Sequence, residues 1–440
     1  MTSAESRDPI GFAVAVLNRL AQSGPLDRFG LRRPAERVVF STTKSGFRTL
    51  GALNRTFSNQ RRSSGRATRV PAASAKGLFD LTPTEDEQML VDLVSEFASE
   101  VLRPAAAEAN DSAEAPESVR TSSVEIGLPI LAVPEELGGI STERSAMAGT
   151  LVAEALAKGD MGLAVACLAP GAVSTALSLW GSDEQQAIYL PAFTGDDVPA
   201  AALAINEPRP LFDPHQLQTT AVRDGDGYLL NGVKSQVPRG ADAEIFVIAA
   251  ELDTVPALFL LESATEGIEI EAEPSMGLRA AAMSRVVLKD VRVPSTSLLG
   301  DTSGTAYAEC VRLSRLAWCA LSVGTAQAVL DYVIPYVNQR HAFGEPVSHR
   351  QSVAFLVANI AIELQGMRLV TYRAASRAAQ GKSFAREVAL ARRLCAERGM
   401  QIGNDGVQLL GGHGFVKEHP VERWYRDLRA IGLSEGGVLV

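Results

Sequence analysis

The chain has 440 residues, 46% hydrophobic and 21% charged, which exceeds the roughly 150 of one ordinary domain and excludes a mainly disordered, collagen-like or acidic low-complexity protein. The net charge of -9 hides an asymmetry: residues 1–76 carry 14 Lys or Arg against 4 Asp or Glu, while the remainder carries 28 against 47. Four cysteines and five histidines are scattered without metal-ligand spacing, which argues against a structural zinc site and points to a reducing, cytoplasmic compartment.

In chain order, the first segment is an Arg- and Ser-rich basic arm. Its charge suits peripheral contact with an anionic membrane surface, and its composition is also that of a transit peptide, which leaves the mitochondrial matrix as an alternative location. No aromatic residues alternate with its arginines, so no nucleic acid is expected as a partner. From Leu81, Thr82 or Thr84 can cap a helix whose first turn is acidic and whose apolar residues recur at helical spacing. Residues 161–182 carry no charge, but Pro170 and the many Ala, Gly, Ser and Thr predict buried helices rather than a membrane span.

Near Val198 the pattern shifts to short β-rich runs, and Asn231-Gly232 reads as a hairpin turn. Beyond Asp301 the helical period returns near 304–340, 349–379 and 385–410, with Gly381 marking a break and Gly366 tolerated inside. The predicted architecture is α+β and multidomain: a basic extension (1–78), an N-terminal helical domain (79–197), a central β domain (198–302) and a C-terminal helical bundle (303–440).

The most informative string is QLLGGHGFVKEHPVERWYRD, residues 408–427. Glycines directly after a long helix let backbone N–H groups approach a phosphate-bearing cofactor. With its spacing of Gln408, Gly411, Gly412, Gly414, Glu418, Arg423 and Asp427, the string resembles the C-terminal signature of the acyl-CoA dehydrogenase family. The resemblance runs over about 81–436, through Leu128-Pro129 and VPEELGG (133–139), AINEP (204–208), DGYLLNGVK (226–234), MGLR (276–279), DVRVP (290–294) and QRHAFG (339–344).

The resemblance implies an FAD enzyme that removes the α-proton and β-hydride of an acyl-CoA to leave a trans-2-enoyl-CoA, with an electron-transfer acceptor protein as partner. Eight residues beyond Asp427, Glu435 falls at the family's catalytic base, because a weakly acidic thioester α-proton needs a positioned carboxylate. Ser314 stands where some members carry the base instead, and Arg315 and Asp213 match substrate-side positions. Asn206, Pro238, Arg340, Phe343, Gln351, Gln408, Gly411, Gly412 and Gly436 match cofactor-binding positions. Several of these lie across a subunit boundary in the family, which implies a homotetramer or hetero-oligomer.

Two flavin-facing motifs depart from the family pattern. Where it reads T-E-P-x-A-G-S-D, this chain has Asn206 first and Phe212 in place of the serine. Where it reads W-I-T, the chain has Gln236-Val237-Pro238, removing an aromatic ring and a hydroxyl. The alternative expectation is therefore a degenerate, non-redox acyl-CoA-binding or structural subunit of a hetero-oligomer.

Overall fold

The computed structural model describes residues 67–71, 81–142, 145–195 and 197–438. Residues 1–66, on which the membrane, transit-peptide and nucleic-acid readings rest, lie outside them. The first helix, α1 (Glu85–Phe97), opens at Thr84 with a capping box: Glu87 N–H donates to the Thr84 hydroxyl (3.1 Å) and Thr84 N–H to the Glu87 carboxylate (2.8 Å). It passes through a π-helical turn (Ala98–Leu102) into α2 (Arg103–Ser112). Pro104 explains the turn, because its ring has no N–H and would strike the carbonyl one α-turn back. Three more helices follow a short α3 (Glu117–Glu125): α4 (Ala146–Gly159), α5 (Met161–Trp180) and α6 (Asp183–Phe193). Pro170 lies inside α5, so the uncharged stretch is a single buried helix rather than several. Residues 67–71, assigned above to the extension, reach this domain. Thr68 exchanges two hydrogen bonds with the Gln186 amide, donating at 3.0 Å and accepting at 3.2 Å.

The central domain is an eight-stranded sheet in the order β6-β7-β3-β2-β4-β5-β8, with β1 added parallel to β4. The strands are β1 (Ala201–Ala204), β2 (Thr220–Asp224), β3 (Gly227–Val237), β4 (Ile245–Leu252), β5 (Val255–Glu262), β6 (Ile268–Ala272), β7 (Ser284–Pro294) and β8 (Leu298–Leu299). Strand alternation splits β4 between two cores. Ile245, Val247 and Ala249 pack toward α5 and α6, while Phe246, Ile248 and Ala250 face a second cluster with Tyr228 and Phe259.

Asn231-Gly232 is not the hairpin turn the sequence suggested. Both residues lie within β3, whose register with β7 is irregular between Leu230 and Gly232, and the turn falls at Gly225-Asp226. Glycine is required there for a different reason: a Cβ at 232 would stand 2.6 Å from the Thr219 Cα.

The bundle is built from α7 (Thr305–Gln339), α8 (Gln351–Ala379) and α9 (Ala385–Leu410), with a two-stranded hairpin of β9 (His341–Ala342) and β10 (Glu345–Pro346) between the first two. A short α10 (Val421–Leu428) follows the glycine turn. One buried cluster ties the three domains together. Asp160 caps α5 through Leu163 N–H (3.0 Å) and accepts from Arg423 Nε (2.9 Å), while Asp427 accepts from Leu278 N–H of the β domain (2.6 Å). Burial raises the pKa of both carboxyls, that of Asp427 to about 7 with the charge of Asp160 adding to the rise. Gly277 admits this close docking, since a Cβ would come 2.5 Å from the Arg426 carbonyl oxygen.

Candidate active site

On α7, Tyr307, Cys310, Ser314 and Trp318 recur at helical spacing and share one face with the adjacent Arg315. After α10 and a 3-10 turn (Arg429–Gly432), the chain folds back across that face, with Glu435 at φ 50° and Gly436 at φ 100°. Arg315 donates from Nε (3.0 Å) and Nη2 (2.8 Å) to the Glu435 carbonyl, Arg392 of α9 donates to the Gly436 carbonyl, and Gly437 N–H donates to the Phe212 carbonyl (2.9 Å). A Cβ on Gly436 would lie 2.5 Å from Pro214 Cδ and 3.1 Å from Arg315 Nη2. Gly436 therefore shapes the loop carrying the carboxylate.

Glu435 is 7% exposed. Burial pushes its carboxyl pKa up, opposed by the charge of Arg392, a hydrogen bond from Ser314, the charge of Arg315 and a hydrogen bond from Trp318. One carboxyl oxygen, Oε2, has no partner in the protein. Ser314, read as the family's alternative base position, instead hydrogen-bonds the Glu435 carboxyl from the facing helix. Arg315 faces the base loop as well, with its donors committed to that backbone.

Asp213 caps its own loop, accepting from His215 N–H (2.9 Å), and its charge acts on Arg315. Asn206 is buried, its carbonyl accepting from Ser235 N–H (2.9 Å) and its side-chain oxygen unpartnered. Pro238 directly follows β3 and is half-buried. Between β3 and the residues after α10 lies a cavity of about 280 Å³, lined among others by Gln236, Glu273, Met276, Leu433 and Ser434, the last of these adjacent to Glu435. Phe212 turns inward and packs with Tyr307, Cys310 and Val311 of α7, under the guanidinium of Arg209 5.4 Å from its ring centroid.

The remaining predicted residues gather elsewhere, at one end of the bundle. Tyr336, one turn before Arg340, donates to the Leu410 carbonyl (3.3 Å) and meets His413 Nδ1 (2.8 Å), bringing the end of α7 beside the glycine turn. Arg340, Gln351, Gln408, Gly411 and Gly412 are exposed there, Phe343 is 95% exposed, and a Cβ at Gly411 or Gly412 would meet nothing within 4 Å. Among the described residues of one chain, this group lies apart from the group around Glu435, at the other ends of α7 and α9. Sequence reasoning missed Arg392 and Trp318. Arg392 had a legible signal: it falls with Val388, Ala391, Cys395 and Gly399 on the apolar face of α9, where an ordinary surface arginine does not belong.

Models of the acyl-CoA dehydrogenase N-terminal, middle and C-terminal domains match residues 84–196, 202–291 and 304–437. The chain belongs to the acyl-CoA dehydrogenase family, a family of FAD-dependent oxidoreductases, as the signature at 408–427 implied. It is 32% identical over 368 residues to the mitochondrial short-chain specific acyl-CoA dehydrogenase of Rattus norvegicus, covering 80% of this chain and 87% of that one. Among solved structures it is similar to butyryl-CoA dehydrogenase from Megasphaera elsdenii (TM-score 0.76, 26% identity, 82% of this chain and 97% of that one). It is likewise similar to an FAD complex of PigA (TM-score 0.75, 26% identity, 82% and 96%).

Proposed function

We propose that this chain is an FAD-dependent dehydrogenase of fatty acyl-CoA thioesters with Glu435 as the base. The observation that carries the reading is a single buried carboxylate with one free oxygen, on a loop pinned by two arginines beside a cavity at the domain seam. The residues present fit the cofactor: the buried, unpartnered oxygen of Asn206 offers an acceptor, and the exposed glycine turn and Arg340 offer phosphate-binding groups. When bound, FAD supplies the two-electron oxidant, and an acceptor protein takes the electrons onward. Glu435 takes the α-proton, its basicity raised by burial. Arg315 and Arg392 hold the loop and leave positive charge facing the site as negative charge moves from Glu435 to the thioester oxygen.

The deciding experiment is the visible spectrum of the purified protein, followed under anaerobic titration with acyl-CoAs of increasing chain length. A yellow protein bleached by one of them is expected. Phe212, filling space where the family has a serine, is the observation favouring the non-redox alternative. A colourless protein that still binds acyl-CoA would establish that alternative.

The assembly proposed is a homo-oligomer in which a second copy completes the cofactor site. Phe355, Ile362 and Leu369 recur every seven residues on α8, each more than half exposed, and Leu390 of α9 is likewise open. A stripe of this kind on one helix suits a facing copy of the same surface. Ile362→Glu is expected to yield a smaller species by light scattering, with unchanged helical content and reduced flavin occupancy. Retention of the parental mass would remove α8 from the interface.

A further inference from the structure

Arg392 is an unusual residue for its position: it is 3% exposed, on the inner face of a long helix, and two of its donors, Nε and Nη1, have no partner in the protein. Its third nitrogen, Nη2, donates to the carbonyl of Gly436, the residue after the base. A buried guanidinium left partly unpaired is strongly unfavourable unless an anion balances it. The anion acting on it is Glu435, next in the chain to the Gly436 whose carbonyl Arg392 binds, and Glu435 Oε2 is also buried and unpartnered. Arg315 cannot fill the same role equally, since its Nε and Nη2 are committed to the Glu435 backbone carbonyl.

We infer that Arg392 is a positioning residue for Glu435, fixing its loop through Gly436 and holding its carboxyl in the ionised, proton-accepting form within a buried site. The inference rests on the reading of Glu435 as the base and adds the group that keeps it ready. The groups facing the carboxyl are Tyr307, Cys310, Ser314, Arg315 and Trp318 from α7 and Arg392 from α9, with Asp213 acting on Arg315 and Cys319 on Arg392. Tyr307 and Cys310 are neutral, their pKa values raised by burial, so the two arginines supply the positive charge. Among the influences opposing the burial of Glu435, the charge of Arg392 is the largest. Burial in turn pushes Arg392 down only to about 10, so it remains charged at neutral pH.

The test is a titration of glutamate carboxyl carbons by NMR in the full-length, 13C-Glu-labelled protein, with Glu435 assigned by the signal lost in Glu435→Gln. Arg392→Gln is expected to raise the Glu435 midpoint by about one to three pH units, and Arg392→Lys to restore most of the difference. In turnover, Arg392→Gln should move the acidic limb of kcat/KM upward by the same interval, with the alkaline plateau lowered by whatever the lost loop contact and charge contribute. An unmoved midpoint in the folded variant, or an equal loss of rate at every pH, overturns the inference. If Arg392→Gln does not fold, Arg392→Met, which keeps an unbranched stem without the charge, takes its place with the same two outcomes, and a wild-type Glu435 carboxyl still protonated at neutral pH overturns the inference in either case. A carboxyl that titrates as expected in a protein that oxidises no acyl-CoA would instead overturn the reading of Glu435 as the base and leave the Arg392 assignment standing.

Discussion

Glu435→Gln is expected to bind acyl-CoA and FAD while the rate of anaerobic flavin reduction falls roughly 10²- to 10⁴-fold, the contribution of a general base. Glutamine keeps the length and planar end of glutamate and can still accept from Ser314 and Trp318, but it cannot take a proton. The backbone clamp is untouched, because Arg315 and Arg392 bind carbonyl oxygens at 435 and 436 rather than the side chain. Binding and chemistry should therefore separate in one variant. A wild-type rate of flavin reduction, measured by stopped-flow absorbance, would move the base elsewhere.

Lys234→Met is expected to lower unfolding stability by about 3–5 kcal/mol, the usual result of stripping one partner from a buried ion pair. The Lys234 side chain is fully buried in β3, and its Nζ donates to Glu207 Oε1 (3.0 Å) and the Ile205 carbonyl (3.2 Å). Glu207 would keep only the N–H groups of Gln218 (2.8 Å) and Thr219 (2.9 Å). The damage should reach the site, since the pair fixes the chain on both sides of Asn206. Adding Glu207→Gln, which removes the orphaned charge, should recover much of the stability. Urea unfolding of the two variants checks both statements, and a loss below about 1 kcal/mol in the single variant would mean that the pair behaves as an exposed one.

Helix boundaries and the three-domain order were legible because they depend on local signals. The Thr84 cap, Gly381 and the return of helical period after Asp301 each act within a few residues, and α7, α8 and α9 begin and end where those signals fall. Asn231-Gly232 misled because the same dipeptide serves a tight turn and an irregular strand, and the choice is made by Thr219 lying against the glycine. Glu435, the proposed base, was picked out by its spacing from Asp427. Its environment was not: Ser314, Trp318, Arg392 and Phe212 come from distant segments, and only packing of α7 against α9 and the 209–216 loop makes them neighbours. The expected cofactor residues divided into a buried set and an exposed set, since a sequence pattern does not say which of its residues the fold covers.

The cluster of Asp160, Arg423 and Asp427 bears on how the molecule comes apart. Multidomain chains commonly melt in stages, each domain carrying its own core. Here the N-terminal helical domain supplies Asp160, the β domain supplies the Leu278 N–H, and the C-terminal bundle supplies Arg423 and Asp427. Detaching any one of them would strand a charge or an acceptor that the other two keep out of water. The cluster therefore couples the unfolding of each domain to that of the other two. The signature arginine and aspartate act as a keystone between domains, and the proposed base lies outside the string that carries them.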